Sequence, residues 1–206
     1  MQRPESSNAT YIEEINRLWR AVYPLLADHI AEIYGRSDGT VAEIGPFCGV
    51  IYDLVPKIIG GDFAIMSFPE SITAMYEREV AQRGFLSKIR CINTDPALSG
   101  VKDESIDLVI FRGALFFPEL FGVNYPAILR VLRDGGVAFI GGGFGKYTPP
   151  ALIEPIAKRS RELNILLGKK EITPEAIVSD LKAAGITRAE ITTDGGIWVI
   201  LKKNGV

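Results

Sequence analysis

Val41-Ala42-Glu43-Ile44-Gly45-Pro46-Phe47-Cys48-Gly49-Val50 is the stretch on which the fold turns. Apolar residues lead up to an acid, a glycine-bearing turn follows, and Val50-Ile51-Tyr52-Asp53-Leu54-Val55 has the composition of the first turns of a helix. The pattern predicts strand, tight loop, helix. Glycine admits backbone angles that other residues avoid and lets the main chain approach a ligand closely. The helix behind such a loop offers unpaired N–H groups and the positive end of its dipole to whatever lies over it. The segment therefore has the form of a nucleotide site.

Two ligand loops share this form. A dinucleotide loop reads G-x-G-x-x-G and seats a pyrophosphate at the helix N-terminus. The other reads acid-x-G-x-G-x-G and seats the amino-acid end and ribose of S-adenosylmethionine. Glu43, just before the first glycine, favours the second. Gly45 and Gly49 hold the first and third glycine places, and Phe47 stands in the middle one.

A chain of 206 residues is long enough for one well-buried domain and too short for two independent cores. We expect a single domain over 1–206, with an N-terminal helical cap over 1–38 and an α/β core over 39–206. With 47% hydrophobic and 23% charged residues the composition is that of a globular protein. A net charge of -2 without a Lys/Arg run leaves no electrostatic footprint for nucleic acid or an anionic membrane. No apolar run approaches the ~20 residues that span a bilayer. Met1 to Asn8 lack a charged start followed by an apolar core, and two cysteines make no disulfide framework, so a reduced, cytoplasmic protein is expected. One histidine, His29, and no Cys/His cluster argue against a zinc site. His29 itself reads as a surface or capping residue.

Thr10 with Glu13 forms a capping-box pattern, and Ile12, Ile15, Leu18, Trp19 and Val22 then recur at helical spacing, so a helix is expected to start there. Pro24 suits the first turn of a second helix, Leu25 to Tyr34, which Gly35 stops. These helices lie outside the strand-helix repeat. They are placed to cover the sheet edge or lid a cleft, where Tyr11 and Trp19 either touch a ligand or pack helix on helix.

Beyond the first strand and helix, Phe63 to Phe68 reads as strand two and Pro69 to Arg83 as a helix ended by Gly84. Ile89 to Asn93 is strand three. Ile106 to Phe111, apolar but for Asp107, is strand four, as a strand covered on both faces should be. A helix from Tyr125 to Leu132 is followed by the Arg133-Asp134-Gly135-Gly136 turn and strand five, Val137 to Gly141. Gly141 to Gly145 reads as a mobile loop. Helices over Leu152 to Leu166 and Pro174 to Ala184 precede a hairpin around Asp194-Gly195-Gly196. Strands alternating with helices imply a parallel sheet with right-handed crossovers, and ligands in such sheets sit beyond the carboxyl ends of the strands.

Four stretches together resemble the class I S-adenosylmethionine-dependent methyltransferases, across roughly Val41 to Lys203. They are Glu43 to Gly49, Thr94-Asp95, Asp103-Glu104-Ser105-Ile106-Asp107-Leu108-Val109, and Val131-Leu132-Arg133-Asp134-Gly135-Gly136. The resemblance implies a Rossmann-like, seven-stranded, mostly parallel sheet with an antiparallel C-terminal hairpin and helices on both faces. It implies S-adenosylmethionine as cofactor, S-adenosylhomocysteine as product, and a small-molecule acceptor, with a homodimer as one assembly open to the chain. By the same resemblance, Glu43, Gly45, Pro46, Phe47, Cys48 and Gly49 hold the amino-acid end of the cofactor. Met66, Ser67 and Phe68 lie at the ribose, and Thr94, Asp95 and Pro96 at the adenine. Arg112 and Gly113 line the cofactor cleft, with Ala114, Leu115 and Phe116 beside the acceptor. Methyl transfer from a sulfonium needs donor and acceptor in line, and a general base only when the acceptor must lose a proton.

The chain departs from the family at three places. Met66 or Ser67 stands where an acid usually grips both ribose hydroxyls, a loss of about 1.5 to 3 kcal/mol, or about ten- to a hundred-fold in affinity. Phe47 is bulky where the backbone comes closest, and Pro96 removes an N–H near the adenine. These departures imply weak, altered or lost cofactor binding, and with it a second function class: a methyltransferase fold kept to bind another ligand or a protein. Several residues have a structural reading beside the functional one. Asp95 suits an Asx turn before Pro96, Asp107 a strand-start contact, Cys48 inert packing, and Phe111, Phe116, Phe117 and Phe121 either core packing or the wall of an apolar pocket. Arg112, among apolar neighbours at a strand end, reads as an anion-binding residue for a cofactor or substrate carboxylate.

Overall fold

The computed structural model describes residues 5–59 and 61–203. Two helices come first, α1 (Glu5–Leu18) and α2 (Tyr23–Tyr34). Pro24 lies in the first turn of α2, and Gly35, at φ 67°, ends it with its N–H donated to Ala31 O. No glycine or proline separates Glu5 from Thr10, so α1 runs through Thr10 instead of starting there, and the capping box is not used.

The sheet follows: β1 (Thr40–Ile44), α3 (Ile51–Leu54), β2 (Asp62–Ser67), α4 (Glu70–Gln82), β3 (Ile89–Asn93), β4 (Ile106–Arg112), α5 (Tyr125–Val131) and β5 (Leu132–Gly143). Then come α6 (Pro150–Leu166), α7 (Pro174–Ala183), β6 (Glu190–Thr192) and β7 (Gly196–Lys202). The seven strands run in the order β3-β2-β1-β4-β5-β7-β6. β1 to β5 pair in parallel, while β7 is antiparallel to both β5 and β6. This is the seven-stranded, mostly parallel sheet with an antiparallel terminal hairpin expected from the sequence.

Three details differ from the sequence reading. β3 joins β4 without a helix, through turns over 94–105 that are anchored when Arg130 of α5 donates to Ala97 O, Leu98 O and Val101 O. The Arg133-Asp134-Gly135-Gly136 turn is an irregularity inside β5, where the register slips between the pairs Ile106–Leu132 and Leu108–Val137. Gly141 to Gly143 do not form a mobile loop. They continue β5 against Trp198, Ile197 and Gly196, and a side chain at Gly141 would lie 2.1 Å from Ile197 O.

Every residue of β4 is buried, as are Val41 to Val50. Burial of each Val, Leu or Ile contributes roughly 1.5 to 3 kcal/mol, so this central pair anchors the sheet. Trp198 stacks on Phe139 at 4.2 Å to fix the β5–β7 side. Asp107, at the start of β4, accepts from Thr40 N, Arg36 and Arg133, and so ties the entries of β1, β4 and β5 together. With strand order reversing between β1 and β4, the loops after Ile44 and Arg112 meet at the carboxyl edge.

Candidate functional site

Glu43, the residue before the last of β1, is fully buried. Its Oε2 accepts from Gly49 N at 2.8 Å and Ile51 N at 3.0 Å, and Oε1 from Val50 N at 3.4 Å. The acid thereby caps the first turn of α3 and closes the glycine loop on itself. Burial pushes its carboxyl up, while the Arg112 charge and the three amides pull it back. Gly45 and Gly49 both have positive φ, 91° and 154°. A side chain at Gly45 would run into the Phe111 ring, and one at Gly49 into the Tyr23 ring at 2.4 Å.

The crown of the loop is held by residues outside it. Tyr76 of α4, fully buried, donates its hydroxyl to Pro46 O at 2.6 Å and receives Cys48 N at 2.7 Å. Asn16 of α1 donates to the Tyr76 hydroxyl at 2.7 Å and to Pro46 O at 3.3 Å, and accepts from Tyr23. Cys48 is buried with its thiol on Gly45 O, and burial pushes its pKa well up. Asn16, Tyr23 and Tyr76 were not singled out from the sequence. Only Asn16 left a signal, as a polar residue on the apolar face of Ile12, Ile15 and Trp19.

Phe47 is 3% exposed and packs against Phe117 at 5.1 Å and Phe121 at 5.8 Å, with Phe121 stacked in turn on Phe111. Gly113, at φ 73°, leaves the room that the Phe47 ring uses. On the far side of β1, Met66 is buried and its carbonyl accepts from Gly45 N. The Ser67 hydroxyl is buried against Thr73 at 2.9 Å. Phe68 is half-buried, and Thr94 bonds to Ser99 O. Asp95 accepts from Ser99 N, four residues on, at 3.1 Å, and the bonds from Ser99 hold its carboxyl below the usual range. Pro96 is exposed beside it.

A cavity of about 670 Å³ opens at the carboxyl ends of β4 and β5. Arg112, Gly113 and Phe116 line it from β4 and its loop, Trp19 from the turn after α1, and Ser160 from α6. Phe47 is the loop residue that reaches it. Trp19 donates to Ser160 Oγ at 3.1 Å and stacks on Phe144 at 4.4 Å. The Arg112 guanidinium lies over the Tyr23 ring at 4.5 Å and the Trp19 ring at 5.2 Å. Ala114 and Leu115 are buried on the wall of a separate hollow near α5 and α7, and Tyr11 is half-buried in α1 packing. The structure thus brings Arg112, Gly113, Phe116, Trp19 and Phe47 together, and places Met66, Ser67, Thr94 and Asp95 elsewhere along the edge.

Tested against the cofactor that the sequence implies, the residues divide. Glu43, Gly45 and Gly49 hold the closed-loop conformation that the amino-acid end requires. Phe47 packs on Phe117 and Phe121, the Ser67 hydroxyl bonds to Thr73, and Asp95 accepts from Ser99 N, so none of the three is aimed at an adenosyl group in this conformation.

No family model matches the chain, and no curated sequence matches it. Solved structures do. A candidate S-adenosyl-L-methionine-dependent methyltransferase of Methanococcus maripaludis is 23% identical, with 100% of this chain and 98% of that one covered and a TM-score of 0.79. A SAM-dependent methyltransferase from Aquifex aeolicus is 15% identical, covering 94% and 96%, with a TM-score of 0.60. Geranyl diphosphate methyltransferase in complex with SAM is 12% identical, covering 100% and 93%, at 0.59. Likeness at these identities is a statement about architecture, and with the strand order above it establishes that this chain has the class I S-adenosylmethionine-dependent methyltransferase fold.

Proposed function

We propose that the chain is a methyltransferase that takes S-adenosylmethionine as donor and a small molecule as acceptor. The acceptor lies in the cavity beside Arg112, and the donor enters over Glu43 and the Gly45 to Gly49 loop once the Phe47 ring turns out. The observation that carries the reading is the position of Phe47, the residue of the glycine loop whose ring borders the cavity at the carboxyl ends of β4 and β5. Donor and acceptor must meet in line across that point, and binding that holds them there supplies several kcal/mol of the barrier. The chain's own residues are then asked to orient and to exclude water; the bound sulfonium supplies the activated methyl group. A single domain in a reducing cytoplasm, both thiols free, completes the proposal.

The filled crown of the loop favours a second reading, a methyltransferase fold kept for binding alone. Isothermal titration of S-adenosylmethionine and S-adenosylhomocysteine into the wild type and into Phe47→Gly separates the two. Catalysis predicts heat with both ligands in the wild type, and affinity at least about ten-fold tighter in Phe47→Gly, which restores the middle glycine. No heat at millimolar ligand in either protein sinks the enzyme and leaves the binding fold. Phe47→Ala repeats the test should the glycine variant prove too unstable.

A further inference from the structure

Arg112 is the least explained side chain in the molecule. It is 4% exposed, its Nη1 has no hydrogen-bond partner, and among the described residues no carboxylate comes within ion-pair distance of it. The nearest acid in the sequence pattern, Glu43, has both oxygens engaged by loop amides. The rings of Tyr23 and Trp19 stabilise the cation without neutralising it. Glu43 acts on this charge from beyond ion-pair distance and the Tyr23 hydroxyl is its polar partner, but a buried Nη1 left without an acceptor is still costly. Here the guanidinium that carries this free donor borders an open cavity.

The rest of that cavity is largely apolar, with Ser160 and Asn164 as neutral polar residues and a group of charged ones. Trp19, Phe116 and Phe144 give flat aromatic walls. Arg161, Lys169 and Lys170 are exposed on its lining beside Glu171; Lys170 is paired with Glu119 at 3.0 Å, and Lys169 lies over the Phe116 ring at 4.8 Å, which leaves a small excess of positive charge. Such an excess draws anions inward. A single guanidinium among aromatic walls suits a monoanion with a hydrophobic body; a phosphate dianion would call for several converging donors.

We propose that the cavity binds a small aromatic carboxylic acid, its carboxylate on the Arg112 guanidinium and its ring against Phe116 and the exposed side of the Trp19–Phe144 stack. This deepens the methyltransferase reading, on which the ligand's role as acceptor rests; the binding itself does not depend on it.

Titration without any methyl donor tests the binding alone. The probes are 1-naphthoate, its neutral isostere 1-naphthamide and inorganic phosphate, read by calorimetry and by Trp fluorescence. We expect the wild type to bind the carboxylate at least about ten-fold more tightly than the amide, and phosphate more weakly than either. In Arg112→Gln the carboxylate preference should fall to within about two-fold, with Arg112→Lys retaining part of it. Equal affinity for acid and amide, no binding of either, tighter binding of phosphate, or an undiminished preference in Arg112→Gln would each overturn the proposal. The wild-type comparison needs no variant, so a misfolded Arg112→Gln leaves it decisive. Failure here says nothing against donor binding, and failure of donor binding leaves the carboxylate site standing.

Discussion

Phe47 carries two opposed roles that the sequence could only set side by side. It fills the middle glycine place of a ligand loop, and in the structure it packs into an aromatic group with Phe111, Phe117 and Phe121. Removing a buried Phe typically costs about 3 to 5 kcal/mol, so Phe47→Gly should lower the urea midpoint even as it opens the loop. A change of under about 1 kcal/mol would mean that the ring is not packed as described. His29 is the other residue whose reading changes. It is 3% exposed, set against Phe139 and Tyr147, with Nδ1 accepting from Lys146 N. It is therefore not a surface residue, because the 144–147 segment folds over α2. Burial, then the Lys146 charge, lowers its pKa below the usual 6.5. On falling pH the unfolded chain takes up the proton first, so the stability tied to the neutral ring is complete above pH about 6.5 and lost below it. Urea midpoints measured at pH about 7.5 and 5.5 should fall more in the wild type than in His29→Gln; equal falls would refute the assignment.

At the scale of elements, most pieces were legible because their signals are local. Gly35 and Gly84 stop helices, β4 is an unbroken apolar run apart from Asp107, and the hairpin turn is spelled by Asp194-Gly195-Gly196. What local signals missed depends on distant partners. Thr10 and Glu13 make a plausible cap, but nothing between Glu5 and Thr10 breaks the helix. Gly141 to Gly143 look loose until β7 pairs with them. Asp107 shows how a local motif acquires a tertiary duty, since its 5%-exposed carboxylate joins Thr40 N, Arg36 and Arg133. Asp107→Ala would leave the Thr40 N–H unpaired while the two half-exposed arginines return to water. We expect a loss of about 2 to 3 kcal/mol in denaturant unfolding, and a loss under about 0.5 kcal/mol would show that the tie is dispensable.

Over the whole molecule, stability should be graded from the centre of the sheet outward. β1 and β4 are buried along their length, whereas β3 and β6 are half-exposed edges. Native-state hydrogen exchange should therefore find the slowest amides in β4 and the fastest sheet amides in β6; the reverse order would contradict this core. The same grading separates what each level of description contains. The sequence by itself determined the strand and helix order, the parallel sheet with its terminal hairpin, and the edge at which ligands gather, because apolar periodicity, glycine stops and crossover handedness act over short spans of chain. Only the tertiary structure decided which side chains meet at that edge. Tyr76 and Asn16 close on the loop from α4 and α1, Phe47 turns toward the β4 loop, and Arg112 keeps a buried Nη1 without an acceptor beside a cavity. Those outcomes depend on contacts between residues 30 to 93 positions apart, which no local pattern encodes.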